Sequence, residues 1–186
     1  MSYDTKYTFS QDIPMYTRYA KSTGGPILDV GCGTGRVLIP MIHAGYQVTG
    51  VDNSTHMITL LKSKLSQIQE STRGLVTISE EDISNADFPT GYKLAIITVN
   101  TFLMCLNESG QERTLRSIHA ALVKGGYLIV DLTLPVREKR PTSAINKAYP
   151  IITPDGIVQD GAVPYTTTKR LFRMFEDNGY SIENLF

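Results

Sequence analysis

An α/β fold built on a doubly wound, mostly parallel sheet is what this sequence predicts, and three observations carry that prediction. From Pro26 to Leu132, short apolar runs alternate with segments of helical periodicity. Parallel strands need such crossovers, and the crossovers cover both faces of the sheet with helices. The first apolar run, Ile27-Leu28-Asp29-Val30, ends in three alternating glycines, Gly31, Gly33 and Gly35. An acid, Asp52, then closes the next apolar run, one strand–helix–strand unit later. Glycines at a strand end let the backbone turn sharply and approach a ligand closely, and an acid at the next strand end can accept from ribose hydroxyls. Together these features make the sheet Rossmann-like.

The elements follow in order. Pro14–Lys21 reads as a short helix, with Asp12 as its cap and Pro14 in its first turn. Ile27–Val30 is the first strand, and Arg36–Ala44 a helix stopped by Gly45. Gln47–Asp52 is the second strand. Ser54 caps a helix over Thr55–Gln69, where Met57, Ile58, Leu61, Leu65 and Ile68 fall at helical spacing. Leu75–Ser79 and Lys93–Val99 are the third and fourth strands. Glu112–Lys124 is a helix closed by Gly125-Gly126, and Tyr127–Leu132 is the fifth strand. Beyond Leu134 a charged, proline-bounded loop leads to a hairpin of Tyr149–Ile152 with Ile157–Gln159, then a helix over Thr168–Asn178 stopped by Gly179. Tyr180–Phe186 starts like a strand.

The glycine loop is the chemical centre. A dinucleotide fingerprint is G-x-G-x-x-G; here the third glycine comes one residue early and Arg36 stands where that fingerprint has Gly or Ala. At this point, with Asp12-Ile13-Pro14-Met15-Tyr16 upstream and Gly24-Gly25-Pro26 leading into Ile27-Leu28-Asp29-Val30-Gly31-Cys32-Gly33-Thr34-Gly35-Arg36, the chain resembles the class I S-adenosylmethionine (SAM) dependent methyltransferases of small-molecule type. The resemblance covers roughly Asp12 to Leu134 and, more weakly, Leu171 to Asn184. It implies the class I methyltransferase fold, with SAM as cofactor, S-adenosylhomocysteine as product, and in-line transfer of a methyl group to an O, N or C nucleophile of a small molecule. Such methyltransferases close the sheet with an antiparallel hairpin after the last helix. Residues for one strand remain here, so the C-terminal strand hairpin reads as incomplete, which leaves room for a homodimer that supplies a strand.

The resemblance also distributes roles. The methionine end of SAM lies over Gly31, Cys32, Gly33 and Gly35, with Cys32 contributing backbone. Asp29 orients the loop and the ammonium group, and Tyr16 closes over the loop toward the carboxylate. Arg36 either pairs with a carboxylate or stands in solvent at the helix start. Asp52 accepts from the ribose hydroxyls, since two short acceptor oxygens match a vicinal diol; Asn53 adjoins it, and Met57 packs on the adenosine or in the core. Asp82 accepts from the adenine amino group and the Ile83 backbone N–H donates to the ring. Asn100 and Thr101, after the fourth strand, face the methyl group or the substrate. A sulfonium leaving group is already activated, so positioning dominates and a base is needed only for a nucleophile that arrives protonated. The candidates for that base are His56, beside Asp52, and Tyr149 and Tyr165 in the insertion after the fifth strand.

Composition removes other classes. Eighteen basic residues balance eighteen acidic ones, so no net field recruits nucleic acid, and the loop after the fourth strand lacks the N-P-P-[FY] of amino-methylating nucleic-acid enzymes. No run approaches the roughly 18 apolar residues of a membrane span, and the N-terminal residues lack a signal peptide's apolar core. Two cysteines, Cys32 and Cys105, read as free thiols of a reducing, cytoplasmic compartment, and no Cys/His spacing suggests a metal. The chain divides into an N-terminal arm and lid helix (1–22), a SAM-binding core (23–134), an insertion or substrate lid (135–166) and a last helix and strand (167–186). A SAM-binding module without catalysis is the competing reading from another class.

Overall fold

The computed structural model describes residues 10–105, 107–132, 149–152, 158–161 and 168–181. Helix α1 (Ile13–Thr23) precedes strand β1 (Ile27–Val30). Then come α2 (Leu38–His43), β2 (Val48–Asp52), α3 (Thr55–Leu65), a single turn α4 (Glu70–Arg73) and β3 (Val76–Glu80). After β4 (Tyr92–Ile97) a 3₁₀ turn (Thr101–Met104) leads to α5 (Glu108–Ala121), β5 (Leu122–Val130), β6 (Tyr149–Ile152), β7 (Val158–Gly161) and α6 (Thr168–Asp177). The five strands β3-β2-β1-β4-β5 form one sheet in that order, every pair parallel. Strands β6 and β7 pair antiparallel, Tyr149 opposite Gly161. The order reverses at β1, between β2 and β4, which is where the ends of parallel strands open a crevice for a ligand.

The two faces of the sheet are buried in two separate cores. On one, Ile27 of β1 with Leu94 and Ile96 of β4 packs against Tyr16 and Ala20 of α1, Leu38, Met41 and Ile42 of α2, and Ile58, Leu61 and Leu65 of α3. On the other, Leu28, Val30, Ala95 and Ile97 pack against Phe102, Leu115 and Ile118 of α5 and Met174 of α6. Alternate residues of β1 and β4 thus point to opposite faces, and both faces are covered.

Several boundaries differ from those the sequence suggests. Helix α5 begins at Glu108, four residues before the expected Glu112, because the Asn107 side chain caps it by accepting from Gly110 N–H at 2.8 Å. The same helix ends at Ala121 rather than Lys124: β5 starts at Leu122, and a bulge lies between the pairs Tyr92–Leu122 and Leu94–Tyr127. Helix α2 starts at Leu38, since residues 33–37 still belong to the glycine turn. Ser54 caps α3 as expected, accepting from Met57 N–H. Asp12 does not cap α1; its carboxylate is drawn instead to Arg36. Tyr180 and Ser181 lie in no strand, and the rest of that expected strand is outside the described residues.

Candidate functional site

The ends of β1, β2 and β4 meet at one edge of the sheet, and the glycine loop spans them. The N–H groups of Gly31 and Cys32 both donate to the Val51 carbonyl, at 2.7 and 3.0 Å, which ties the loop to β2. Gly33 N–H donates to Asp52 Oδ2 at 2.8 Å, and the other oxygen of Asp52 accepts from Ser54 N–H at 2.9 Å. One carboxylate therefore holds both the crest of the loop and the start of α3. Lys64 of α3 adds a bond from Nζ to the Thr34 carbonyl at 2.9 Å.

The three glycines, all at positive φ, meet different surroundings. A Cβ on Gly31 would lie 2.2 Å from Thr101 Cγ2, and one on Gly35 2.5 Å from Leu61 Cδ1. Those two positions are glycine because other protein segments approach them. At Gly33 a Cβ would meet nothing within 4 Å, so the loop's crest faces open space. Cys32 turns the other way: it is buried, and its Sγ would be 2.9 Å from a Cβ on Gly50. Burial, with the charges of Asp29 and Asp52, pushes its thiol pKa up. Cys32 offers the site its backbone alone.

Beneath the loop Asp29 is fully buried, and its Oδ2 has no hydrogen-bond partner among the described residues. Burial raises its pKa from 3.8 to about 7; Arg36 and the Leu38 N–H oppose the rise and Asp52 adds to it. An unpartnered buried carboxylate oxygen is costly, and a cationic donor at that place would remove the cost.

Helix α1 lies over this region. Arg36 Nη1 reaches both oxygens of Asp12, at 2.7 and 2.8 Å, with the arginine 20% and the aspartate 13% exposed. So Arg36 does pair with a carboxylate, one belonging to the protein. One turn along α1 from Asp12, Tyr16 is fully buried, and among the described residues its hydroxyl lacks a hydrogen bond at ordinary geometry. Burial first, then the nearby charges of Asp12 and Asp131, push its pKa up, while Arg36 pulls it down.

At the end of β4, Val99 and Asn100 both take left-handed backbone, φ 53° and 61°. The turn sets Thr101 on Gly31, and Thr101 Oγ1 donates to the Thr98 carbonyl at 2.7 Å. Asp131, one residue past β5, accepts from Val99 N–H at 3.3 Å through its carboxylate and from Asn100 N–H at 3.2 Å through its carbonyl. Asp131 is the residue that sequence reasoning missed. Its signal was available: Leu128-Ile129-Val130-Asp131 places an acid at a strand end, as Val51-Asp52 does.

Several other expected residues do local work in the fold. Asp82 is exposed and accepts from the Ser84 N–H and hydroxyl at 2.9 and 2.8 Å, so it closes the turn after β3. Ile83 packs into the second core and its carbonyl accepts from Thr114. Asn53 and His56 are exposed around the start of α3, and Met57 is half-buried behind them. Tyr149 opens β6, and Tyr165 lies outside the described residues. Among the described residues no group of His, Cys, Asp and Glu could hold a metal ion, and no helix is long and apolar enough to cross a membrane.

A family model described as a methyltransferase domain matches residues 27–126. Cypemycin N-terminal methyltransferase of a Streptomyces species is 28% identical over 130 residues, which is 69% of this chain and 50% of that one. Carboxy-S-adenosyl-L-methionine synthase of Trichodesmium erythraeum is 29% identical over 107 residues, covering 56% and 40% of the two chains. Among solved structures, the CcbJ methyltransferase of Streptomyces caelestis superposes with a TM-score of 0.72 at 19% identity, over 91% of this chain and 79% of that one, a likeness of fold. The chain spans about half the length of the curated relatives it matches.

Proposed function

We propose that this chain, which belongs to the methyltransferase-domain family, binds SAM across the glycine loop and serves methyl transfer to a small-molecule acceptor. Bound there, SAM supplies a methyl group on a sulfonium that leaves as S-adenosylhomocysteine. The observation that carries the reading is the bond from Gly33 N–H to Asp52 Oδ2, which sets the open crest of the loop and the acid at the end of β2 in one frame. Each Asp52 oxygen spends one lone pair on a backbone N–H and keeps another for a ribose hydroxyl. The free Oδ2 of Asp29 suits the ammonium group, and Tyr16 with Arg36 closes the carboxylate end. Asp82 and the Ile83 N–H bound the adenine end, and Asn53 and Met57 flank the ribose. Asn100 and Thr101 border the side from which an acceptor arrives. A glycopeptide N-methyltransferase crystallised with SAM shares this fold at a TM-score of 0.60, and the cypemycin enzyme named above is an N-terminal methyltransferase, so a nitrogen nucleophile is the first acceptor class to screen. A sulfonium leaving group is already activated, so the chain works chiefly by positioning the acceptor in line with the methyl group.

Calorimetric titration with S-adenosylhomocysteine, on wild type and Asp52→Ala, tests the cofactor site. Micromolar binding that the substitution weakens at least tenfold is the expected result; no binding by the wild type would overturn it. A second reading, a SAM-binding module that needs further chain to turn over, is favoured by the half-length match to relatives. Turnover of an amine panel by this chain alone would remove that reading.

A further inference from the structure

We infer that Asp131 is a positioning residue for the proposed transfer: it holds the left-handed Val99–Asn100 turn, and through that turn seats Thr101 on Gly31. The inference rests on the SAM-binding reading for its consequence, though not for its geometry.

Val99 is β-branched, and a β-branched residue at φ 53° is held against its own preference. Burial does not account for it, because Val99 is 36% exposed. What does hold the turn is the end of β5. Asp131 N–H donates to the Ile97 carbonyl at 2.8 Å, its carbonyl accepts from Asn100 N–H, and its carboxylate accepts from Val99 N–H. Three bonds from one residue thus fix the last residue of β4 and both left-handed residues after it. Two of them are main-chain bonds that any residue supplies; the bond to Val99 needs a side-chain acceptor at position 131.

The turn has a direct effect on the loop. Thr101 follows it immediately, and its methyl group fills the space in which a Cβ on Gly31 would sit. Shifting the turn moves that ceiling over the first loop glycine, between the cofactor crest and the acceptor side. Asp131 also stands near α1, since its charge acts on the Tyr16 hydroxyl.

Three variants separate a positioning role from a general loss of structure. In Asp131→Asn the amide oxygen still accepts from Val99 N–H, so this variant should keep the turn. Asp131→Ala removes the acceptor. In Val99→Gly/Asp131→Ala the strain is gone, because glycine takes positive φ freely. The first readout is amide hydrogen exchange of Val99 and Asn100 in the ligand-free chain: protection in wild type and Asp131→Asn, and fast exchange in Asp131→Ala. The second is S-adenosylhomocysteine affinity: about tenfold weaker in Asp131→Ala, within about twofold of wild type in Asp131→Asn, and largely recovered in the double variant. Unchanged protection and affinity in Asp131→Ala would overturn the inference. So would an Asp131→Asn variant as weak as Asp131→Ala, which would assign the effect to charge. If the wild type binds no S-adenosylhomocysteine, the functional reading fails, and the exchange readout still decides whether Asp131 holds the turn.

Discussion

Replacing Asp52 tests the frame of the site more sharply than any other change, because its two oxygens hold two different N–H groups. Oδ2 accepts from Gly33 at 2.8 Å and Oδ1 from Ser54 at 2.9 Å. Hydrogen bonds to a charged acceptor contribute about 1.5–3 kcal/mol each. Both are half-buried, and the freed N–H groups regain water in Asp52→Ala, so the low end applies to each bond and the expected loss is about 3 kcal/mol. Asp52→Asn should be no better. An amide has one acceptor oxygen, and either flip points its NH₂ at one of the two N–H donors. If Asp52 served merely to accept from Ser54 N–H ahead of α3, Asn would be well tolerated, since an Asn side chain makes the same bond to the residue two positions on. The assay is urea denaturation with and without S-adenosylhomocysteine. At a hundredfold excess over Kd the ligand should raise wild-type stability by about 2.7 kcal/mol. A tenfold loss of affinity at the same concentration leaves about 1.4 kcal/mol. A fully stable Asp52→Asn with the wild-type ligand increment would refute the reasoning.

Three further outcomes are expected. Gly31→Ala should destabilise the ligand-free chain by about 3 kcal/mol, from positive φ and the clash with Thr101, whereas Gly33→Ala should cost about 1 kcal/mol and yet weaken S-adenosylhomocysteine binding, because its methyl group enters open space; thermal melts and calorimetry on the pair separate the two. Folded Asp29 keeps its proton up to about 7 while an unfolded aspartate releases it near 3.8, so the folded state binds more protons in that window and stability falls as pH rises through it. Denaturation from pH 4 to 8 should show that slope, on the order of a few kcal/mol in all, reduced in Asp29→Asn. Arg36→Ala leaves Asp12 unpaired at 13% exposure and should cost about 2 kcal/mol; in a double-mutant cycle with Asp12→Ala, the second change should add little, and additive losses would show that the pair does not act as one.

The sheet was legible because its signals are local. The periodicity of β1 to β4, the glycines and Ser54 each act within a few residues, and the structure has them nearly where the sequence puts them. What was not legible depends on contacts between distant segments. Asp12 looks like a helix cap by its position before Ile13-Pro14, yet Arg36, 24 residues on, claims its carboxylate. The start of α5 was missed because Ser109 and Gly110 are poor helix formers, and the Asn107 cap outweighs them. The bulge before Tyr127 contains Gly125, at φ 76°, and Gly126, a pair that reads in the sequence as a helix stop. Asp82 and Ile83 were placed by resemblance alone, and the structure shows the local work each does in the fold.

The charges around the loop favour a cationic ligand over a pyrophosphate. Asp29 lies under the loop, Asp52 at its crest, Asp12 at its outer side, and Asp131 across the turn after β4. Arg36 is the cation whose charge reaches Asp12, Tyr16 and Asp29, and its strongest bond is to Asp12. A pyrophosphate on this loop would bring two negative charges beside Asp29 and Asp52, in surroundings where burial already disfavours ionised Asp29. A sulfonium with an ammonium group brings the opposite sign and can meet the unpartnered Oδ2. The packing role that a third glycine plays in the dinucleotide fingerprint falls here to Gly35, against Leu61. Position 36 is thereby released from close packing, and a long basic side chain can reach across to α1. The one-residue shift of the last glycine and the arginine after it are two parts of one arrangement, in which Gly35 packs on Leu61 and Arg36 ties α1 to the loop.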